Sequence, residues 1–218
     1  GHVRLNSVCA VDEVAVFRAI ISAAVAEESK SYAPIEKRDT YGKAFLQIMN
    51  LWERYEAVRP YVLARRFAKI AAELMGVPGV RLYHDQALFK EAGGGFTPWH
   101  QDQHYWPLDT NHTITMWMPL VDVSEAMGTM NFASGSHVLG YLGDMPISDE
   151  AEATIGKIVK DQGWKVVNHG AMAAGDATFH GGWTLHGAPG NASDRTREVM
   201  TIIYFADGTH VGKIDNAN

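Results

Sequence analysis

The 218 residues carry 46% hydrophobic and 20% charged side chains, with a formal net charge of −6. This is enough chain for one domain with a sizeable core, and the composition excludes a disordered or fibrous protein. The acidic balance argues against nucleic acid or an anionic membrane surface as the main partner, and Cys9, standing alone, excludes an intrachain disulfide or a thiolate metal cluster.

In chain order, "VDEVAVFRAIISAAVAEES" predicts a first helix, with Asp12 as N-cap and Val14, Phe17, Ile21 and Val25 recurring at helical spacing. Its apolar run "AIISAAVA" is far short of a membrane span. No basic n-region precedes that run, so the expected location is cytoplasmic. Trp52 and Tyr55 predict a short helix, and a longer one is expected from Pro60 to a stop at Gly76. Small basic groups such as Arg65–Arg66 with Lys69 read as solvated helix faces, diluted by acidic neighbours.

From Val80 the pattern changes to short aromatic and β-branched runs divided by Gly, Pro, Asn and Asp. These are "VRLYHDQALFK", "TPWHQDQHYW", "TITMWMPLVDV", "GTMNFASGSH", "WKVVNHGAM", "DATFHGGWTLHGA" and "REVMTIIYFA". With the sixth divided at its double glycine they predict about eight strands, enough for a jelly roll of two facing sheets. One helix is expected among them over "SDEAEATIGKIVKDQG", with Asp149 and Glu152 as a capping pair. The expectation is one mainly β domain over residues 1–218: a helical flank over 1–79 and a cupin-like double-stranded β-helix over 80–206.

The segment "TPWHQDQHYWPLD" concentrates ionisable and aromatic groups. His100 and Asp102 stand at i and i+2, so on a strand both point to one face and can reach one ion while Gln101 points away. A third ligand has to come from a distant strand, and His186 in "GGWTLHGAPGN" is the best placed of the ten histidines. Two imidazoles and one carboxylate on one side of an ion form the facial set of non-haem Fe(II) oxygenases, with open positions for a 2-oxo acid and dioxygen. A co-substrate such as 2-oxoglutarate also needs a cationic fork for its far carboxylate. Arg195 sits in the turn-like "NASDRT", whereas Arg197 begins an expected strand and is the better held of the two. His84, His112, His169 and His180 have no pairing that distinguishes them, and the glycines of "EAGGGF" read as a flexible loop at the mouth of the site.

Four ordered blocks then carry a family resemblance. "WHQDQHYWPLD", "WMPLVDVSEAMGTMNFASGSH" and "GDATFHGGWTLHGAPGN", followed by an arginine eleven positions after the histidine, resemble the phytanoyl-CoA dioxygenase family of Fe(II)/2-oxoglutarate oxygenases. The resemblance covers residues 80–205 well and the N-terminal helices more loosely. It implies His100, Asp102 and His186 as iron ligands, Arg197 on the distal carboxylate of 2-oxoglutarate, and Gln86 and Trp117 as further co-substrate contacts. It also implies dioxygen as oxidant and a small-molecule substrate. Halogenating relatives replace the carboxylate with a small residue, so Asp102 implies a hydroxylase. Two departures stand out: Ala188 occupies the place of a co-substrate serine two after the distal histidine, and Val199 follows Arg197 at i+2 where a hydroxyl is expected. Thr129 or Thr115 is the expected substitute. The rival readings are a cupin-like metal isomerase or hydrolase, which has no use for Arg197, and a non-catalytic metal-binding domain.

Overall fold

A computed structural model describes residues 1–212. In chain order the elements are β1 (His2–Leu5), α1 (Val11–Glu28), α2 (Thr40–Ala44), β2 (Leu46–Met49), α3 (Leu51–Arg54), α4 (Arg59–Val62), α5 (Arg65–Met75), β3 (Val80–Phe89), β4 (Thr97–His100), β5 (Thr113–Pro119), β6 (Asn131–Ala133), α6 (Asp149–Asp161), β7 (Val166–Asn168), β8 (Ala177–Gly181), β9 (His186–Ala188) and β10 (Val199–Ala206). The strands form two antiparallel sheets: six strands in the order β1-β8-β5-β10-β3-β2, and four in the order β4-β9-β6-β7. The fold is the mainly antiparallel jelly roll with flanking helices that the strand pattern predicts.

Period-two alternation sorts the six-stranded sheet. Ile114, Met116 and Met118 of β5, Met200, Ile202 and Tyr204 of β10, and Ala177 and Phe179 of β8 face the helical side. There they pack with Ile21, Val25, Phe67 and Ala71 of α1 and α5 into the main core. The intervening residues belong to the other face: Thr115 and His180 bond to Asp102, and Trp117 lines an interior cavity. On β3, Ala87 and Phe89 join the core while His84, Gln86 and Leu88 line the same cavity. One sheet thus separates a greasy face from a chemical one.

Several local expectations are corrected. The first helix is capped by Ala10, and Asp12 sits inside its first turn. The helix expected from Pro60 to Gly76 is two pieces, broken at Leu63–Ala64 where no Gly or Pro marks the break; Gly76 ends the second with φ 68°. Ser148, not Asp149, caps α6 by accepting from the Ala151 N–H, and Glu152 instead accepts from the Trp99 N–H at 2.7 Å, tying α6 to β4. Ten strands are present among the described residues, two of them, β1 and β2, within the stretch expected to be helical. Both are four-residue strands at the two edges of the larger sheet, too short to show an alternating pattern. The "EAGGGF" loop is pinned: the Gly95 N–H donates to the Lys43 carbonyl, and the Gly94 carbonyl accepts from the Asn191 N–H.

Asp85 breaks the alternation of β3. It is fully buried, and its carboxylate accepts from the N–H groups of Leu51 and Trp52 at the start of α3. That satisfies backbone donors no helical carbonyl can reach. Asp85→Ala is expected to lower stability by about 1–2 kcal/mol, read as a lower urea midpoint with an unchanged denaturant slope.

Candidate metal centre

His100 and His186 lie 86 positions apart in the chain but face each other across β4 and β9, in direct register. Their ring centroids are 4.1 Å apart. Each ring is oriented by its own strand: the Nδ1 atoms bond the carbonyls of Pro98 at 2.7 Å and Thr184 at 2.9 Å. An Nδ1–H donating to a carbonyl leaves the Nε2 lone pair free. Both Nε2 atoms lie 3.6 Å from Oδ1 of Asp102. The three donor atoms lie within 4.8 Å of one another.

Asp102 is not on the strand. β4 ends at His100, Gln101 is still extended, and Asp102 opens a 3-10 turn over Asp102–Tyr105. The i, i+2 geometry survives because the extended Gln101 points its side chain away, where its Nε2 donates to the carbonyls of Gly140 and Trp183. The second Asp102 oxygen is already engaged: Oδ2 accepts from Thr115 Oγ1 at 2.8 Å and from His180 Nε2 at 3.1 Å. Only Oδ1 is left to face the histidines. Burial works against the Asp102 charge, yet the neighbouring His186, His100 and His180 together hold its carboxyl well below the usual range. Burial pushes the His186 imidazole well below its usual range, aided by His100 and His180, so this ring is a neutral donor. Two imidazoles and one carboxylate oxygen, oriented from behind and converging from one side, fit a divalent first-row metal such as Fe(II).

His180 is one residue that sequence reasoning missed. It is buried on β8 directly across from Thr115 of β5, so the two strands deliver two donors to one carboxylate oxygen. Only sheet register reveals this; the spacing of His180 to the other ligands carries no signal. Gly187, between His186 and Ala188, is another. A Cβ there would lie 2.9 Å from the Thr97 carbonyl, so the close approach of β4 and β9 needs glycine.

The triad opens on a cavity of about 790 Å³. At its floor are Arg197, Trp117, Thr97 and Ala188. Arg197 is buried just ahead of β10, held by a two-way backbone bridge to Lys90, and its Nη1 donates to the Gly128 carbonyl. The guanidinium carbon sits 5.2 Å from the centre of the Trp117 ring, a cation–π contact. Arg195 is exposed, as its turn predicts. Gln86 lines the cavity, donating to His84 and accepting from Gln47. Neither Thr115 nor Thr129 replaces the missing hydroxyl: the first is spent on Asp102, the second bonds Asn168 Oδ1, and neither lines the cavity. Thr97 does line it, directly across β4–β9 from Ala188.

Over the cavity lies the segment leading into α6, which contributes Pro146 and Ile147. The turn that carries Asp102 grips this segment. Tyr105 Oη accepts from the Ile147 N–H at 2.7 Å, Gln101 donates to the Gly140 carbonyl at 2.8 Å, and His104 Nε2 stands 3.4 Å from Asp144 Oδ1.

The profile of the phytanoyl-CoA dioxygenase family matches residues 1–199. The chain belongs to that family. A curated relative, the probable alpha-ketoglutarate-dependent hypophosphite dioxygenase of Stutzerimonas stutzeri, is 23% identical over 94% of this chain and 75% of its own length. Among solved structures, the non-heme alpha ketoglutarate dependent carbocyclase SnoK from nogalamycin biosynthesis superposes with a TM-score of 0.81 at 24% identity, covering 100% of this chain and 84% of that one. The epimerase SnoN, in complex with Fe3+, alpha ketoglutarate and nogalamycin RO, gives a TM-score of 0.79 at 25% identity over 100% and 83% of the two chains. Among the described residues no helix is long and apolar enough to cross a membrane.

His100→Ala and His186→Ala are each expected to abolish stoichiometric Co(II) or Fe(II) binding measured anaerobically by calorimetry. Thr115→Val and His180→Phe, which leave the three donors in place, should weaken it by about 10–100-fold.

Proposed function

We propose that the chain is a mononuclear Fe(II) oxygenase that uses 2-oxoglutarate and dioxygen to hydroxylate a C–H bond of a small organic molecule. The observation that carries this reading lies beside the triad. Lys90 and Arg197 are both buried, and among the described residues neither is paired with a carboxylate. Lys90 donates to the Gly95 carbonyl and Thr97 Oγ1 and lies 5.9 Å from the centre of the Phe45 ring, and Arg197 Nε has no partner among the described residues. A buried cation without a counter-charge costs several kcal/mol. A dicarboxylate with one end on the floor removes that cost; metal alone does not.

The roles follow from the geometry. His100, Asp102 and His186 would hold the iron. Arg197 offers its free guanidinium face to the distal carboxylate of 2-oxoglutarate, with Trp117 flattening the other side. An ammonium has no acceptor, so Thr97 Oγ1 must accept from Lys90, which leaves the Thr97 proton to donate into the cavity. Thr97 thereby supplies the hydroxyl that Ala188 lacks. Gln86 takes the neighbouring wall as a further co-substrate contact. When bound, iron with 2-oxoglutarate and dioxygen supplies a two-electron oxidant, converting R–H to R–OH as 2-oxoglutarate is split to succinate and carbon dioxide. Asp102 favours hydroxylation over halogenation, because its carboxylate occupies the position a halide would need.

The test is oxygen-dependent release of succinate by the iron-loaded protein, which these sites support slowly even without substrate. Arg197→Ala is expected to weaken 2-oxoglutarate binding by about 100-fold or more while Co(II) binding stays intact. An unchanged affinity would instead favour a metal isomerase or a metal-binding domain. In a substrate screen, hydroxylation adds one oxygen to the product mass; an unchanged mass or loss of two hydrogens redirects the reading to an isomerisation or ring closure.

Burial, and then Arg197, pushes the Lys90 ammonium down to about 7. Lys90 is therefore largely neutral in the free protein above that pH, and a bound carboxylate draws a proton back to it. Binding of 2-oxoglutarate is expected to take up about one proton near pH 8 and almost none near pH 5.5, so affinity falls as pH rises through 7. Calorimetry in buffers of different ionisation enthalpy measures that uptake.

A further inference from the structure

The cavity is larger than iron and 2-oxoglutarate require; at about 790 Å³ it falls in the range that encloses drug-sized ligands. Its charged groups among the described lining residues are Asp102 and Arg197, and the functional reading assigns both. The remaining wall is neutral. Burial pushes His84 down to about 4, and it pushes the Tyr41 phenol above its ordinary range, so neither carries charge near neutral pH. Rings dominate the outer surface: Phe45, Tyr83, Tyr105 and Trp106, with Tyr83 and Trp106 in contact at 5.6 Å. An anion or a cation placed here would lose its water and gain no counter-charge. A planar apolar ring system loses nothing and gains ring contacts.

One polar strip crosses this surface, and it has a direction. Tyr41 Oη donates to Gln47 Oε1 at 2.9 Å, Gln47 Nε2 donates to Gln86 Oε1 at 3.1 Å, and Gln86 Nε2 meets His84 Nε2 at 3.1 Å. The last bond makes His84 Nε2 an acceptor, with its proton on Nδ1. At the other end Tyr41 has spent its proton, so its oxygen offers the cavity lone pairs only.

We propose that the outer cavity is the substrate subsite, and that it selects an uncharged, ring-bearing alcohol whose O–H donates to Tyr41 Oη. This rests on the 2-oxoglutarate oxygenase reading, and the experiment separates the two. Cobalt(II)-loaded protein is first titrated with 2-oxoglutarate under nitrogen. The saturated complex is then titrated with three probes of one shape: 2-naphthylmethanol, its methyl ether and 2-naphthoate. The alcohol is expected to bind about tenfold more tightly than the ether, which cannot donate, and than the carboxylate, which brings a charge. Tyr41→Phe should erase the preference for alcohol over ether while leaving 2-oxoglutarate affinity unchanged, a sign that the fold and floor are intact. Gln47→Leu should lower the same preference, because the freed Tyr41 proton can then donate to the ether. If 2-oxoglutarate does not bind, the oxygenase reading fails and this proposal with it. If 2-oxoglutarate binds but ether or carboxylate matches the alcohol, or Tyr41→Phe keeps the preference, only this proposal is overturned.

Discussion

The register of β4 against β9 is the constraint on which the site depends. His100 and His186 are cross-strand partners, so their separation is set by sheet hydrogen bonding and not by side-chain reach. A slip of one residue would turn one ring to the far side of the sheet and leave two ligands at most. Local features hold the register. Gly187 permits the close approach, Glu152 clamps β4 at the Trp99 N–H, and each imidazole is locked to a carbonyl two residues earlier. The carboxylate comes from outside the strand and is aimed by donors from β5 and β8. Both sheets therefore contribute to one small cluster of donors.

A second constraint is electrostatic. The floor keeps the Arg197 guanidinium out of water, stacked on Trp117, with the buried Lys90 amine behind Thr97, and among the described residues neither is paired with an acid. Such an arrangement is costly in the free protein and becomes favourable on binding an anion. The same low-dielectric surroundings that depress Lys90 strengthen its attraction to whatever carboxylate arrives. The chamber above is its opposite, built of rings and neutral hydrogen-bonding groups. One cavity thus joins a cationic floor to a neutral, ring-lined chamber.

The sequence made part of this legible, and physical reasons divide what it revealed from what it hid. The strands from Val80 onward were readable because each presents alternating or continuous apolar residues between breakers. The convergence of His100, Asp102 and His186 was legible from the H-x-D spacing together with the ordered blocks that carry the family resemblance, and the burial of Arg197 from its place at the start of an expected strand, where Arg195 lies in a turn. The split between α4 and α5 was hidden because Leu63 and Ala64 are good helix formers, and β1 and β2 because four residues are too few to show a period. His180 and Thr97 were hidden for a different reason. Their importance lies in which residue they face across a sheet, at Thr115 and Ala188, and pairing between distant strands leaves no local trace. The strand argument for Asp102 reached the right geometry by an incomplete route, since extension persists through Gln101 after the ladder has ended.

The grip of the Asp102 turn on the segment over the cavity has one more consequence. Gln101 and Tyr105 flank the carboxylate in sequence and bond the roof at Gly140 and Ile147. Roof and ligand are thus mechanically in series, and a displacement of one is felt by the other. Thermodynamic reciprocity then requires that whatever a guest against the roof does to metal affinity, the metal does equally to the affinity for the guest.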